Sequence, residues 1–109
     1  MVESALSLDG IFGSLSHPIR RDILRRGAME RAEMSVNEIA KPYKISLAAI
    51  SKHLKILEKA KLIIKRRRGK QQVITISPIA FKQAAEYLQC YEKLWNHRLD
   101  TLEEYVSTL

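Results

Sequence analysis

One stretch near the middle of the chain decides the fold: Ser46-Leu47-Ala48-Ala49-Ile50-Ser51-Lys52-His53-Leu54-Lys55-Ile56-Leu57. Its large apolar side chains recur every three or four residues, which is the period of one helix face. Ser46 is suited to capping the first turn, because its hydroxyl can accept a backbone N–H that has no partner inside the helix. The stretch therefore predicts an amphipathic helix, with Leu47, Ile50, Leu54 and Leu57 facing a core and Ala48, Ser51, Lys52 and Lys55 on the opposite face.

The residues just before this helix predict a second, shorter one. Ser35 and Glu38 are spaced as in a capping box, and Pro42 ends the helix after Ala40. Only a short link then remains before Ser46. Two helices joined in this way form a helix-turn-helix, which we expect over residues 35–58.

The residues just after the helix predict a basic β-hairpin. An extended run over 62–68 is followed by the turn Gly69-Lys70 and by a return strand over 71–76, so that residues 62–77 form a wing. Its tip holds five cations within residues 65–70. Because side chains alternate along a strand, we expect Arg66, Arg68 and Lys70 on one face and Arg67 on the other.

The two ends of the chain predict flanking helices. An amphipathic helix is expected over 3–15, and a second helix follows it, capped by Ser16 and ending near Gly27. A long helix over 80–109 has apolar residues at intervals of seven, among them Phe81, Leu88 and Trp95. The 109 residues thus predict one mostly α domain with a small β-hairpin, a winged helix-turn-helix of order α-α-α-α-β-β-α that dimerises through its terminal helices.

Charge is concentrated in the middle of the chain. The formal net charge of +7 divides into −1 for residues 1–40, +11 for residues 41–85 and −3 for residues 86–109. A basic centre of this kind favours double-stranded DNA as a partner, although lysines and arginines also solvate a surface or protect a sheet edge. The candidate DNA-binding residues are Ser46, Leu47, Ala48, Ala49, Ser51, Lys52, Lys55, Arg66, Arg67, Arg68, Lys70 and Gln71.

Two runs resemble the ArsR-type winged-helix repressors, over roughly residues 10–100. Residues 15–24 look like the opening helix of that family, and residues 45–60 look like its recognition helix. The resemblance implies a homodimer that binds a pseudo-palindromic operator and represses transcription, usually until an effector relieves it. The residues expected at the dimer interface are Leu8, Ile11, Phe12, Leu88, Tyr91, Trp95, Leu99 and Leu102.

The chain departs from this family in three ways. Lys61 stands where relatives have a glycine after the recognition helix, and Leu47 and Ala48 stand where several have Gln or Ser. The paired cysteines of metal-sensing relatives are missing from residues 35–41. An intersubunit metal site of His97, Asp100 and Glu104 is conceivable, but exposed polar positions are the favoured interpretation of those residues. We therefore expect no metal and no cofactor, and the effector stays unknown.

The remaining expectations are mostly exclusions. No catalytic constellation stands out, so an enzyme is not expected. The single cysteine, Cys90, excludes an intramolecular disulfide and is expected to be a small buried hydrophobe, with a redox role as the alternative. No apolar stretch is long enough to span a bilayer and no secretory signal is visible, which indicates a cytoplasmic protein without membrane partners. Two rival functions are left open: a non-specific architectural DNA binder, and a winged helix that grips a protein.

Overall fold

A computed structural model describes residues 2–30 and 33–109, with side chains for 8–29 and 33–109. The helices are α1 (Val2–Ser14), α2 (Pro18–Glu30), α3 (Val36–Ala40), α4 (Leu47–Lys59) and α5 (Pro78–Ser107). The strands are β1 (Met34–Ser35), β2 (Ile63–Arg68) and β3 (Gln71–Ile76), which form an antiparallel sheet in the order β1-β3-β2. The predicted fold class is confirmed, and β1 is an addition to it.

The helix-turn-helix packs on a core that the apolar stripe of α4 dominates. Ile50, Leu54 and Leu57 are fully buried, as is Ile39 from α3. The stripe predicted for α4 is thus confirmed except at its first residue, because Leu47 is 52% exposed. Burial of these side chains fixes which face of α4 is left open to solvent.

Helix α4 ends in a left-handed residue. Lys61 has a φ of 62°, and the N–H of Leu62 donates to the carbonyl of Leu57 at 3.1 Å. This is the arrangement of a Schellman motif, in which glycine is the usual left-handed residue. Lys61 adopts the conformation at a cost of about 1 kcal/mol, which glycine would not incur.

Helix α2 begins differently from the prediction. His17, and not Ser16, accepts the first free N–H: its Nδ1 lies 3.2 Å from the backbone nitrogen of Ile19, while the Ser16 hydroxyl donates back to Gly13. The helix ends at Glu30, close to Gly27 as predicted, and Gly27 is buried against Ile76 of β3. The glycine therefore allows a close approach between α2 and the sheet.

Candidate nucleic-acid interface

Both helices of the helix-turn-helix begin at the serines that the sequence predicts. The Ser35 hydroxyl accepts the N–H of Glu38 at 3.2 Å, and the Ser46 hydroxyl accepts the N–H of Ala49 at 3.1 Å. Both caps are local, since donor and acceptor are three residues apart. They fix where α3 and α4 start, and thereby which residues of α4 lie in its first, solvent-facing turn.

Helix α2 holds α3 and the link between the two helices in place. The Arg26 guanidinium donates to the carbonyls of Ile39 (2.8 Å) and Glu38 (3.2 Å) at the end of α3, where a cation complements the helix dipole. It also lies 5.4 Å from the centre of the Tyr43 ring. The Tyr43 hydroxyl donates to Asp22 at 2.5 Å. Hydrogen bonds from Tyr43 and then Arg25 lower the pKa of Asp22, so this carboxylate stays ionised and keeps the link attached to α2.

The outward face of α4 is small, polar and basic. Ala49 is half-buried, and the other residues predicted for DNA contact on this helix are exposed: Ser46, Leu47, Ala48, Ser51, Lys52 and Lys55. Small side chains in the first turn leave the helix backbone accessible, and the two lysines lie further along the same helix. A face of this size and composition can enter the major groove of B-DNA.

The wing presents its cations in solvent. Arg66, Arg67, Arg68, Lys70 and Gln71 are all exposed, and Gly69 turns the chain with a φ of 60°. Across the hairpin, Arg68 pairs with Gln71 and Arg67 pairs with Gln72. The regular strand therefore ends at Arg68, and Lys70 lies in the turn. The prediction that Lys70 shares a strand face with Arg66 and Arg68 does not extend to this turn residue.

Two of the wing arginines have partners of their own. The Nε of Arg67 donates to the carbonyl of Gly69 at 3.2 Å, and a guanidinium nitrogen of Arg68 lies 3.0 Å from a carboxylate oxygen of Glu33. Glu33 was not predicted from the sequence, since nothing in the local pattern links it to a residue 35 positions later. Strand β1 follows Glu33 directly and pairs with β3, which places Glu33 next to the hairpin.

A buried cluster connects α4 to the junction of α1 and α2. Arg20 is 9% exposed, and its Nε donates to the carbonyl of Ser14 at 2.6 Å. One terminal nitrogen of Arg20 lies 3.1 Å from Nδ1 of His53, and the His53 and His17 rings have centroids 4.5 Å apart. His53 therefore packs and hydrogen-bonds within the fold. Arg20 did not stand out in the sequence because it lies in a run of arginines that are mostly solvent-facing.

Helix α5 leaves most of its length without a partner in the described part of the chain. Only Ala80 and Ala84 are buried, and Phe81 is half-buried. Every large apolar residue from Tyr87 onward is exposed, including the predicted interface residues Leu88, Tyr91, Trp95, Leu99 and Leu102. On α1, Leu8 is half-buried and Phe12 is exposed, with its ring 6.1 Å from that of Tyr87.

Two expectations for the terminal helices are wrong. Ile11 is 1% exposed and belongs to the core of the single chain, in which α1 packs on α4 and α5. It cannot also form a dimer surface. Cys90 is exposed instead of buried, since no other described element covers this part of α5.

Neither a metal-binding cluster nor a membrane-spanning helix occurs in residues 2–30 and 33–109. No group of three or more His, Cys, Asp or Glu side chains in these ranges is placed to hold a metal ion. No helix within them is long and apolar enough to cross a bilayer.

Comparison with known proteins gives the same class from sequence and from structure. Residues 15–66 match a family model described as a helix-turn-helix domain. The transcriptional repressor SdpR of Bacillus subtilis is 36% identical over 62 residues, which are 57% of this chain and 67% of SdpR.

Solved structures extend the similarity to most of the chain. The crystal structure of the ArsR family transcriptional regulator RHA00566 has a TM-score of 0.78 at 30% identity, over 84% of this chain and 93% of that one. A second structure shares the fold at 22% identity: the homodimeric winged helix-turn-helix DNA-binding domain of Mb0332 from Mycobacterium bovis, with a TM-score of 0.62 over 84% of this chain and 82% of that one.

The fold and the helix-turn-helix define a transcriptional regulator of the winged-helix class, and the relatives are regulators and not enzymes, as the sequence predicts. The chain belongs to the ArsR family of transcriptional regulators.

Proposed function

We propose that this chain is a homodimeric, sequence-specific repressor of transcription. Two copies join through residues 3–15 and 80–109, and each inserts residues 46–55 of α4 into a major groove. The two half-sites then lie about 34 Å apart, one turn of the duplex, and the operator is a pseudo-palindrome. Repression follows because the bound dimer blocks the polymerase.

The observation that carries this proposal is the division of α4 into two faces. Its inner face is anchored by Ile50, Leu54 and Leu57, which are fully buried, while its outer face offers Ser51 and Lys52 to a ligand. A helix fixed in this way needs no rearrangement before it docks. In the proposed complex the side chains of Ser46, Leu47, Ala48, Ala49 and Ser51 approach base edges, and Lys52 and Lys55 reach phosphates or guanine.

The wing supplies the part of the affinity that does not depend on sequence. Arg66, Arg67, Arg68 and Lys70 are exposed cations at the tip of a hairpin, where they can follow the phosphate backbone, with Gln71 beside them. The net +11 of residues 41–85 is hard to reconcile with a winged helix that only grips a protein. A module that binds only a protein does not need a cationic face on the second helix of its helix-turn-helix.

The dimer rests on the exposed apolar surface of α5 and on the neighbouring α1. A contiguous surface of this kind is uncommon on a monomer and typical of an interface. Leu8, Phe12, Leu88, Tyr91, Trp95, Leu99 and Leu102 are the residues proposed to meet a second copy. SdpR is a repressor and Mb0332 has a homodimeric DNA-binding domain, which supports the same assignments here.

The experiment that tests the proposal is selection of binding sites from random duplex DNA at ~150 mM salt, where non-specific phosphate binding is weakened. A two-fold-related motif with half-sites one helical turn apart is expected. Binding without any enriched motif would instead identify an architectural DNA binder. No binding by a folded protein would favour a protein partner.

A further inference from the structure

Arg20 connects three parts of the fold with one buried side chain. Besides the bond from Nε to the Ser14 carbonyl, a terminal nitrogen lies 3.4 Å from the carbonyl oxygen of Gly13 and 3.5 Å from the Ser16 hydroxyl. The other terminal nitrogen points to His53, 33 residues away in the middle of α4. Through this one guanidinium, the end of α1 and the start of α2 contact the proposed recognition helix.

The contact with His53 requires a particular protonation state. A guanidinium has five N–H donors and no acceptor, so Nδ1 of His53 must accept at 3.1 Å. An imidazole that accepts at Nδ1 is neutral and carries its proton on Nε2. An imidazolium has an N–H at both positions, so it would lose the hydrogen bond and place two cations in contact.

We propose that Arg20 and His53 form a positioning pair, which holds the recognition helix in its DNA-binding orientation only while His53 is uncharged. The inference rests on the proposed DNA-binding function of α4. Neither residue belongs to the outward face that is proposed to touch DNA, since Arg20 is buried and His53 is half-buried. Protonation of His53 at low pH then weakens DNA binding by changing the orientation of α4, without changing any residue that touches DNA.

The groups around His53 favour the neutral ring. Burial lowers the pKa of His53 below its ordinary value near 6.5, and the charges of His17 and Arg20 lower it further. Within the described ranges, α1 faces the pair with the carbonyls of Gly13 and Ser14, and no carboxylate contacts it. Stabilisation by the pair is therefore complete above the ordinary pKa and is lost as the pH falls through the lowered pKa of the folded protein.

The direction in which DNA affinity changes with pH distinguishes the positioning pair from the attraction between exposed histidines and phosphates. Protonation of exposed histidines adds positive charge, which by itself strengthens the attraction to phosphates in acid. The positioning pair predicts the opposite, namely an affinity that falls as the pH is lowered below 6.5.

The test is a pH series of DNA affinity with a matched pair of variants. Fluorescence anisotropy with the duplex selected above is measured between about pH 8 and pH 5, at constant ionic strength, for the wild type, His53→Asn and His17→Asn. In His53→Asn the amide oxygen takes the place of Nδ1 and accepts from Arg20 at every pH. In His17→Asn the amide oxygen keeps the cap on the N–H of Ile19, and the neighbouring imidazole is removed.

The wild type is expected to lose roughly tenfold in affinity across this range, as for the loss of one hydrogen bond to a charged group. We expect a flat profile for the variant at position 53. For the variant at position 17 we expect a loss as large as that of the wild type, beginning at a higher pH because the charge of His17 no longer lowers the pKa of His53. A wild type that binds equally or more tightly in acid would overturn the inference. So would a variant at position 53 that declines like the wild type.

A measurement without DNA keeps the inference testable if the variant at position 53 does not fold. The nitrogen NMR signals of the wild-type imidazoles report which ring nitrogen carries the proton. We expect a bare Nδ1 in His53 at neutral pH, and a proton found on Nδ1 would contradict the positioning pair. A wild type that shows the bare Nδ1 and yet fails to bind DNA at any pH would contradict the proposed function alone.

Discussion

At the scale of single residues, Gly27 shows how closely α2 approaches the sheet. A Cβ atom built at this position would lie 2.6 Å from both Cγ1 and Cδ1 of Ile76, much closer than two carbon atoms normally approach. We expect Gly27→Ala to lower the free energy of unfolding by about 1–2 kcal/mol, because the cost of overpacking exceeds the gain in helix propensity. Urea denaturation measures the change.

The control for this substitution is Gly10→Ala. Gly10 also lies inside a helix, but a Cβ added there meets nothing within 4 Å. Without a steric cost, alanine should leave the free energy of unfolding unchanged or raise it by up to about 1 kcal/mol. A Gly27→Ala protein as stable as the wild type would show that Ile76 moves aside freely.

Single residues also show where sequence reasoning succeeds. The caps of Ser35 and Ser46 are predictable, because donor and acceptor lie within one turn and compete with nothing else. The cap of α2 is not predictable, because the side chains of Ser16 and His17 both offer a hydrogen-bond acceptor and only the structure shows which one is used. The prediction that Ile11 lies at the dimer interface fails for a related reason: an apolar residue suits an internal core and a dimer surface equally well.

At the scale of elements, the wing is the part most open to direct test. Replacing Arg66, Arg67 and Arg68 together by Gln removes three exposed cations without removing side chains from the core. If they bind phosphates, DNA affinity falls at every sequence, and the slope of log K against log[salt] decreases by up to about 0.9 for each phosphate that is no longer neutralised. Anisotropy titrations at several salt concentrations measure both quantities.

A single substitution just before β1 should, in contrast, not weaken DNA binding. Glu33→Gln removes the carboxylate that lies 3.0 Å from Arg68, leaving that guanidinium available to a phosphate. Affinity is then expected to equal or exceed that of the wild type.

For the variant that lacks Arg66, Arg67 and Arg68, an unchanged slope of log K against log[salt] would exclude phosphate binding by the wing.

The elements themselves were predictable to different degrees. The hairpin has a two-residue turn with Gly69 and strands of equal length, so local pattern is enough to find it. Strand β1 has two residues and exists only because Met34 and Ser35 meet Ile74 and Val73, far along the chain. The contact between Arg20 and His53 is likewise non-local, and no spacing rule would have indicated it.

At the scale of the whole molecule, the proposed dimer makes a prediction for Trp95, whose side chain is 65% exposed in the single chain. Trp95→Asp places a charge in the middle of the apolar surface of α5, and we expect it to convert the dimer into a monomer because burying an unpaired charge is costly. Sedimentation velocity measures the change. As the chain has one tryptophan, its emission in the wild type should also shift to the red on dilution.

The neighbouring residue provides a matched control. Asn96 is exposed and lies about 100° around the helix from Trp95, toward the polar side that carries Gln89, Asp100 and Glu103. Asn96→Asp introduces the same charge with almost no change in shape, and this variant should remain dimeric. A Trp95→Asp protein that sediments as a dimer would place the interface elsewhere.

The exposed length of α5 has a consequence for gene regulation. From Pro78 to Ser107 this helix is about 45 Å long, and its outer two-thirds pack on nothing else in the described part of the chain. If a second copy is what covers them, the DNA-binding species forms in proportion to the square of the free chain concentration when copies are scarce. A cell that halves the number of copies then loses about three-quarters of that species, so expression level alone works as a switch without any small-molecule signal.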